Sequence, residues 1–304
     1  MNRRHLAMLL ALAALWGASF MFIKVAVREL TPATLIVGRL GLAAVTLALL
    51  IPFAVGTRET LGQLRENAGW LVLVALVNTA IPFWLLSWGE TRIDSGLASI
   101  IQAAVPIFNA LIAFVAFREV RVTGTRLLGV GVGFVGVALL VGAQPEGKVL
   151  GALAVVGMAF CYGVGGLLTG RYLGAVKPIV VAFASTAIAA AVALPVGAAE
   201  APHHVPGWKT IASVVVLGIP LTAVAYLLFF GLITGAGAAY ASLVTYLIPP
   251  IALAYGAIFL DERFGIAALG GLALILAGVA LGTGGVRFAR LGRARFMGET
   301  RFPP

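Results

Sequence analysis

Ten predominantly apolar stretches run through this chain, near residues 6–27, 32–55, 69–88, 94–117, 123–142, 149–170, 177–197, 209–230, 237–260 and 264–285. Each approaches the roughly 20 residues that a helix needs to cross the hydrocarbon core of a bilayer. Lipid leaves an unpaired backbone no partner, so segments of this kind close their own hydrogen bonds as helices. The breaks between them are short and carry charges, Pro or Gly. The first stretch follows Arg3 and Arg4 but is too long for the apolar region of a signal peptide. Lys24 and Arg28 stand where a small-residue cleavage site belongs, so it reads as a helix. The expected fold is all-α integral membrane, with ten transmembrane helices.

Composition supports this and removes other classes. Charged residues make up 11% of the 304 and mean hydropathy is +1.07, against about 25% charged in soluble domains. An ordinary soluble enzyme is excluded. The net charge of +10 comes from a shortage of acids within an apolar background, which argues against a disordered or nucleic-acid-binding chain. Cys161 is the single cysteine, so neither a disulfide nor a cysteine metal site is available. His203 and His204, between Pro202 and Pro206, read as a solvated or headgroup-level turn. No metal or cofactor is expected.

Ten spans place both termini on one side, and the basic residues decide which. Of 21 Lys and Arg, Lys24 and Arg39 lie within spans and five (Arg28, Arg92, Lys148, Lys209, Arg263) fall in one set of loops; the other 14 fall in the opposite loops and the tails. The richer side is read as the cytoplasm, so both termini are expected on the cytoplasmic side of a bacterial inner membrane. The basic segment 286–304 reads as a cytoplasmic tail held to anionic headgroups by Arg287 to Arg301, at about 1 kcal/mol per residue near the surface.

The chain also repeats. A shift of 146 lays LWGASF (15–20) over CYGVGG (161–166) and Pro32 over Pro178. A shift of 143 lays ASIIQAAVP (98–106) over ASLVTYLIP (241–249) and Glu119 over Glu262, and GVGFVGVALLVG (131–142) resembles LALILAGVALGTG (272–284). Residues 6–142 and 149–285 are thus expected to form two five-helix repeats. An odd number of spans per unit turns the second upside down, and such inverted repeats usually build transporters with a site near the midplane.

The segments LWGASFMFIKVA (15–26), TPATLIVGRLGLAA (31–44), FREV (117–120) and FLDER (259–263), the last two each followed by a Gly-rich helix, resemble the EamA repeats of the drug/metabolite transporter superfamily. The resemblance covers nearly the whole chain. It implies ten helices, both termini inside, and a central cavity lined mainly by helices one, three, four, six, eight and nine. It also implies an exporter of small metabolites, with bacterial aromatic amino acid exporters the nearest likeness.

Polar groups in hydrocarbon cost several kcal/mol unless they pair or face water, which makes them site candidates. On span four, Ser99, Gln102, Pro106 and Asn109 fall at steps of 3, 4 and 3; span nine repeats the steps with Ser242, Thr245, Pro249 and Ala252. Each set forms one helical stripe. A proline removes one hydrogen bond and displaces the carbonyl four residues earlier. Pro106 and Pro249 are therefore expected to bend their helices and free the carbonyls of Gln102 and Thr245 for an ammonium group, or merely to shape the helices.

Aromatic residues pair across the repeat as Trp16 with Tyr162 and, at a shift of 142, Trp84 with Tyr226. They suit planar or apolar substrate groups, although aromatics in membrane helices also pack or sit at the interface, as Trp88 near a span end does. Ser19, Asn78 and Tyr246 add polar candidates; Asn78 and Trp84, six residues apart, point in different directions. Lys24 is placed to snorkel outward. Arg39, about 10 Å into span two from Pro32, serves either as a structural partner or as an attractor for a substrate carboxylate.

All eleven acids lie in loops, tails or at helix ends. Small multidrug-resistance relatives of the resembled superfamily carry a first-helix glutamate where this chain has Trp16 to Ser19. The expectation is alternating-access export without an intramembrane proton-carrying carboxylate. Amino acids, aromatic or broad in range, are the expected substrate; nucleosides, sugars or organic cations are the alternative. Without clustered carboxylates, histidines or a nucleophile with its base in any span, no enzyme is expected. Gly129 and Gly133, Gly278 and Gly282, and Gly166 and Gly170 permit close helix approach, and a functional monomer is expected.

Overall fold

A computed structural model of the chain describes residues 2–117 and 124–282, and the described residues are helical throughout, with no strand. The basic tail and Glu119 fall outside the described residues. The elements are α1 (Arg3–Ala26), α2 (Pro32–Ala54), α3 (Thr57–Glu66), α4 (Ala68–Ala75), α5 (Ile81–Glu90), α6 (Ser95–Gln102), α7 (Val105–Phe117), α8 (Gly124–Gly142), α9 (Glu146–Tyr172), α10 (Pro178–Ala199), α11 (Trp208–Gly218), α12 (Ala225–Ala236), α13 (Ala238–Ala241), α14 (Val244–Phe259) and α15 (Ile266–Gly282). Each of the ten apolar stretches is helical. Among the described residues seven helical runs are long and apolar enough to cross a membrane, and Leu127–Gly142, Val244–Phe259 and Ile266–Leu281 are shorter apolar helices.

Local chemistry sets the ends. The Thr31 hydroxyl accepts from the Thr34 nitrogen ahead of Pro32, a cap followed by a residue whose missing N–H costs nothing at that position. Residues 56–68 separate the second and third apolar stretches. They hold α3, an amphipathic helix with Thr60 buried, and Gln63 of α3 accepts from the Lys177 nitrogen across the fold.

Two runs are not regular helices. Leu76–Ala80 joins α4 to α5, and Ile219–Val224 joins α11 to α12, as π-turns. They begin 143 residues apart, at the same place in each half. Two other runs break outright. Between α6 and α7 the bonds tighten to Ala103 N with Ile100 O and Ala104 N with Ile101 O; between α13 and α14 Leu243 N meets Tyr240 O and Thr245 N meets Ser242 O. The first break directly precedes Pro106. The second lies about two turns ahead of Pro249, which sits inside α14 with Pro250. The outright break on this side falls at Ser242–Leu243, and α14 runs on through both prolines.

Packing pairs the two halves. α2 lies along α10 and α8 along α15; α1 meets α14 as α9 meets α6 and α7; α1 meets α11 and α12 as α9 meets α4 and α5; α2 touches the second π-turn as α10 touches the first. Most of these contacts map onto one another when the halves are exchanged. Glycines set the closest approaches. A Cβ on Gly17 would stand 2.7 Å from Ile251 Cγ2 and 3.4 Å from the Ala252 nitrogen, and one on Gly163 would stand 3.0 Å from Phe108 Cβ and 3.3 Å from the Asn109 nitrogen. Gly170 meets nothing within 4 Å, so of the small-residue pairs Gly166 and Gly170 do not form a close contact.

Loop carboxylates tie helix ends together. Glu262 accepts from Ser95 N, Gly96 N and Ser95 Oγ at 2.8–3.0 Å, placing negative charge at the positive end of α6. Glu29, exposed after α1, accepts from Gly207 N and Thr210 Oγ1, both at 2.7 Å. The Gly207 bond first, then the Thr210 hydroxyl and the charge of His204, hold its carboxyl below the ordinary value of 4.5. A depressed folded-state pKa stabilises above the unfolded value, and the gain disappears as pH falls through the folded one. The thermal midpoint of the wild type should exceed that of Glu29→Gln near neutral pH, and the gap should close as acidification carries the pH below the ordinary carboxylate range. A gap that widens in acid would refute this linkage.

Candidate functional site

The seam between the halves encloses a cavity of about 250 Å³, lined by Trp16, Ser19, Phe20, Arg39, Asn78, Phe83, Leu86, Gln102, Val105, Tyr162, Leu221, Thr222, Tyr226, Phe229, Thr245 and Ile248. At about 30 Å³ per water it holds roughly eight waters, less than the ~300–1,000 Å³ typical of drug-sized sites. An amino-acid-sized molecule matches it. A larger groove of about 640 Å³ on α8 has only glycine and aliphatic lining and offers no polar group to orient a metabolite.

Seven of the ten residues singled out from sequence come together here: Trp16, Ser19, Asn78, Gln102, Tyr162, Tyr226 and Thr245. Three do not. Ser99 is fully buried and its hydroxyl donates to Gly96 O at 2.6 Å. The break after Gln102 ends the stripe that linked it to Asn109, whose Oδ1 is buried without a partner near Gly163 and Gly166. Tyr246 packs against the central core. Trp84 is 43% exposed and stacks on Trp88 at 6.0 Å, with Arg92 over the Trp88 ring. The pair belongs to the outer rim.

The Trp84 reading fails for a definite reason. The π-turn is followed by residues in the 143 register, not 142, so Phe83 rather than Trp84 is the counterpart of Tyr226. A one-residue slip rotates a side chain by about 100° around a helix. The same 143 offset, already visible between spans four and nine, was the signal that could have found it.

In that register the chamber is largely symmetric. Asn78 pairs with Leu221, Phe83 with Tyr226, Leu86 with Phe229, Gln102 with Thr245 and Val105 with Ile248, and at the shift of 146 Trp16 has Tyr162 as its counterpart. Two aromatic contacts knit the walls: Trp16 with Phe229 at 5.2 Å and Tyr226 with Phe230 at 6.0 Å. Pro106, Pro249 and Pro250 lack the N–H that the carbonyls of Gln102, Thr245 and Tyr246 would meet in a regular helix.

Two basic residues find uses the sequence left open. Lys24 does not reach outward; its Nζ donates to Glu90 O and Ile93 O, each at 2.7 Å, capping the carbonyl end of α5. Arg39 lines the chamber from α2, 6% exposed, with Nε donating to Thr222 Oγ1 at 3.0 Å and the guanidinium 4.5 Å from the Phe83 ring centre. Glu90, an end-of-helix acid by sequence, is completely buried, and neither of its carboxylate oxygens has a hydrogen-bond partner. It does not line the chamber. Among the described residues no group of three or more His, Cys, Asp or Glu side chains is placed to hold a metal ion.

The sequence pattern of the EamA-like transporter family matches residues 4–142 and again 149–283. A probable terminal-alkyne amino-acid exporter of Streptantibioticus cattleyicolor is 30% identical over 92% of each chain. A probable amino-acid metabolite efflux pump of Escherichia coli is 25% identical over 95% of this chain and 98% of its own. A protein known from a crystal structure superposes with TM-score 0.64 at 18% identity, covering 93% of this chain and 97% of that one. That likeness concerns fold alone.

Proposed function

Because the chain belongs to the EamA-like transporter family, we propose that it exports amino acids, aromatic or broad in range, by rocking its helices around the central chamber. The observation that carries this reading is the chamber itself: amino-acid-sized, aromatic on its walls, and polar at Gln102, Thr245, Asn78 and Ser19. The carbonyls opposite Pro106 and Pro249 suit an ammonium group, and Trp16, Tyr162 and Tyr226 suit a planar or apolar side chain. The names of the Streptantibioticus and Escherichia relatives point the same way.

Charge supports a reading of orientation and coupling. The excess of Lys and Arg in alternate loops supports cytoplasmic termini in a bacterial inner membrane. No Asp or Glu is among the residues that line the chamber, which favours facilitated export over proton exchange through the site. The chamber is built from one chain, which favours a functional monomer that needs only its substrate and surrounding lipid.

Counterflow into proteoliposomes tests the substrate class. Labelled phenylalanine and leucine should accumulate transiently in vesicles preloaded with the unlabelled compound, and labelled uridine or glucose should not. Counterflow of uridine or glucose with none of the amino acids would replace this reading with a carrier of other metabolites.

A further inference from the structure

Exchange symmetry accounts for most of the chamber but not all of it. Ser19, Phe20, Arg39 and Thr222 line it, whereas their counterparts in the other half, Gly165, Gly166, Ser185 and Thr79, do not. The difference is a charge. Where α10 carries Ser185, α2 carries Arg39, and the hydroxyl of Thr79 is buried without a partner while that of Thr222 is engaged twice.

We propose that Arg39 is the anion receptor of the chamber and holds the carboxylate of the substrate, so that zwitterionic and acidic molecules bind in one orientation and amines and amides do not. The proposal rests on the amino-acid reading above and specifies which end of the amino acid is read.

The geometry around Arg39 is that of an oriented, unfilled fork. Thr222 Oγ1 gives its proton to Leu217 O at 2.7 Å, so it can only accept from Arg39 Nε. That bond and the Phe83 ring beneath fix the plane of the guanidinium. A guanidinium offers five N–H donors, and the bond to Thr222 uses one. Among the described residues no acid pairs with Arg39 within 4.0 Å. Both oxygens of buried Glu90 are without a hydrogen bond, so Glu90 does not fill the fork either.

An arginine stays charged even when buried, and a buried charge without a partner is costly. A substrate carboxylate meets both requirements at once, because its two oxygens match two parallel N–H groups. Removing that carboxylate leaves the cation unpaired, and the penalty falls on the analogue. Thr222 stands in the second π-turn, and the carbonyl that anchors its hydroxyl is that of Leu217, five residues earlier.

The test is competition against labelled phenylalanine in counterflow, with phenylalanine, phenylalaninamide and phenethylamine as competitors. In the wild type the acid should compete roughly 10- to 100-fold better than either analogue, the range expected for hydrogen bonds to a charged group. Arg39→Gln should bring all three within about threefold of one another. If that variant is recovered poorly, Thr222→Val, which removes only the orienting acceptor, should shrink the ratio in the same direction, and Arg39→Lys should keep part of it. A merely structural arginine would change yield or overall rate and leave the ratio alone. Wild-type phenylalanine counterflow with no preference for the acid, or a preference that survives Arg39→Gln, would overturn the proposal and leave amino-acid export standing. A wild type that carries none of the amino acids would overturn both.

Discussion

A chain carrying Gly278→Leu is expected not to be recovered as folded protein. A Cβ at Gly278 would stand 2.5 Å from the Gly133 nitrogen and 2.6 Å from Gly129 O, and one at Gly136 would stand 3.0 Å from both Gly271 O and the Ile275 nitrogen. α8 and α15 therefore touch backbone to backbone at two levels. Overpacking costs about 1–3 kcal/mol where side chains can move aside. Here the obstacles are main-chain atoms, so the effect should reach or exceed the top of that range. Size-exclusion profiles in detergent read the result, with Gly131→Ala as control, since a Cβ there meets nothing within 4 Å. A monodisperse Gly278→Leu peak with the wild-type thermal midpoint would show that the helices separate at no cost.

The second large effect concerns transport alone. The double variant Gln102→Ala, Thr245→Val keeps the main-chain carbonyls but removes the two side-chain oxygens that line the chamber; it should fold in normal yield and lose about 100-fold in apparent affinity, taking about 1.5 kcal/mol for each side-chain bond to a charged ligand and 1.4 kcal/mol per tenfold. Ser99→Ala, on the same sequence stripe but bonded to Gly96 O outside the chamber, should transport as the wild type does. Uptake by the double variant at wild-type concentrations of amino acid would remove Gln102 and Thr245 from the site. Loss of transport in Ser99→Ala would restore the unbroken stripe.

These two experiments probe features of different legibility. The glycine spacings are plain in the sequence, and so are the apolar stretches, because a helix in lipid must be both long and continuously apolar. Most of their boundaries agree with the helices to within a few residues; the exceptions include the run that ends at Ala236 rather than near 230 and the helix that starts at Val244 rather than near 237. Trp16 with Tyr162 and Gln102 with Thr245 were readable because a repeat conserves side-chain direction wherever its register is uninterrupted. Trp84 and Ser99 were misread where the register changes, at a π-turn and at a helix break. Neither feature has a residue signature as sharp as proline. Pro249 illustrates the converse, a strong breaker that its helix absorbs.

The fork at Arg39 depends on Thr222, 183 positions away, and the clamp at Glu262 depends on Ser95, 167 positions away. By its own composition and repetition the chain decided that it lives in the bilayer, that it is helical, and that two similar units share the work. Those properties arise from local hydrophobicity and from periodicity along the chain. Only the folded structure decided which polar groups meet at the seam, which acid is buried, and that one half alone supplies a cation. Such pairings are set by how helices distant in sequence rotate and pack against one another, and no window of residues contains that rotation.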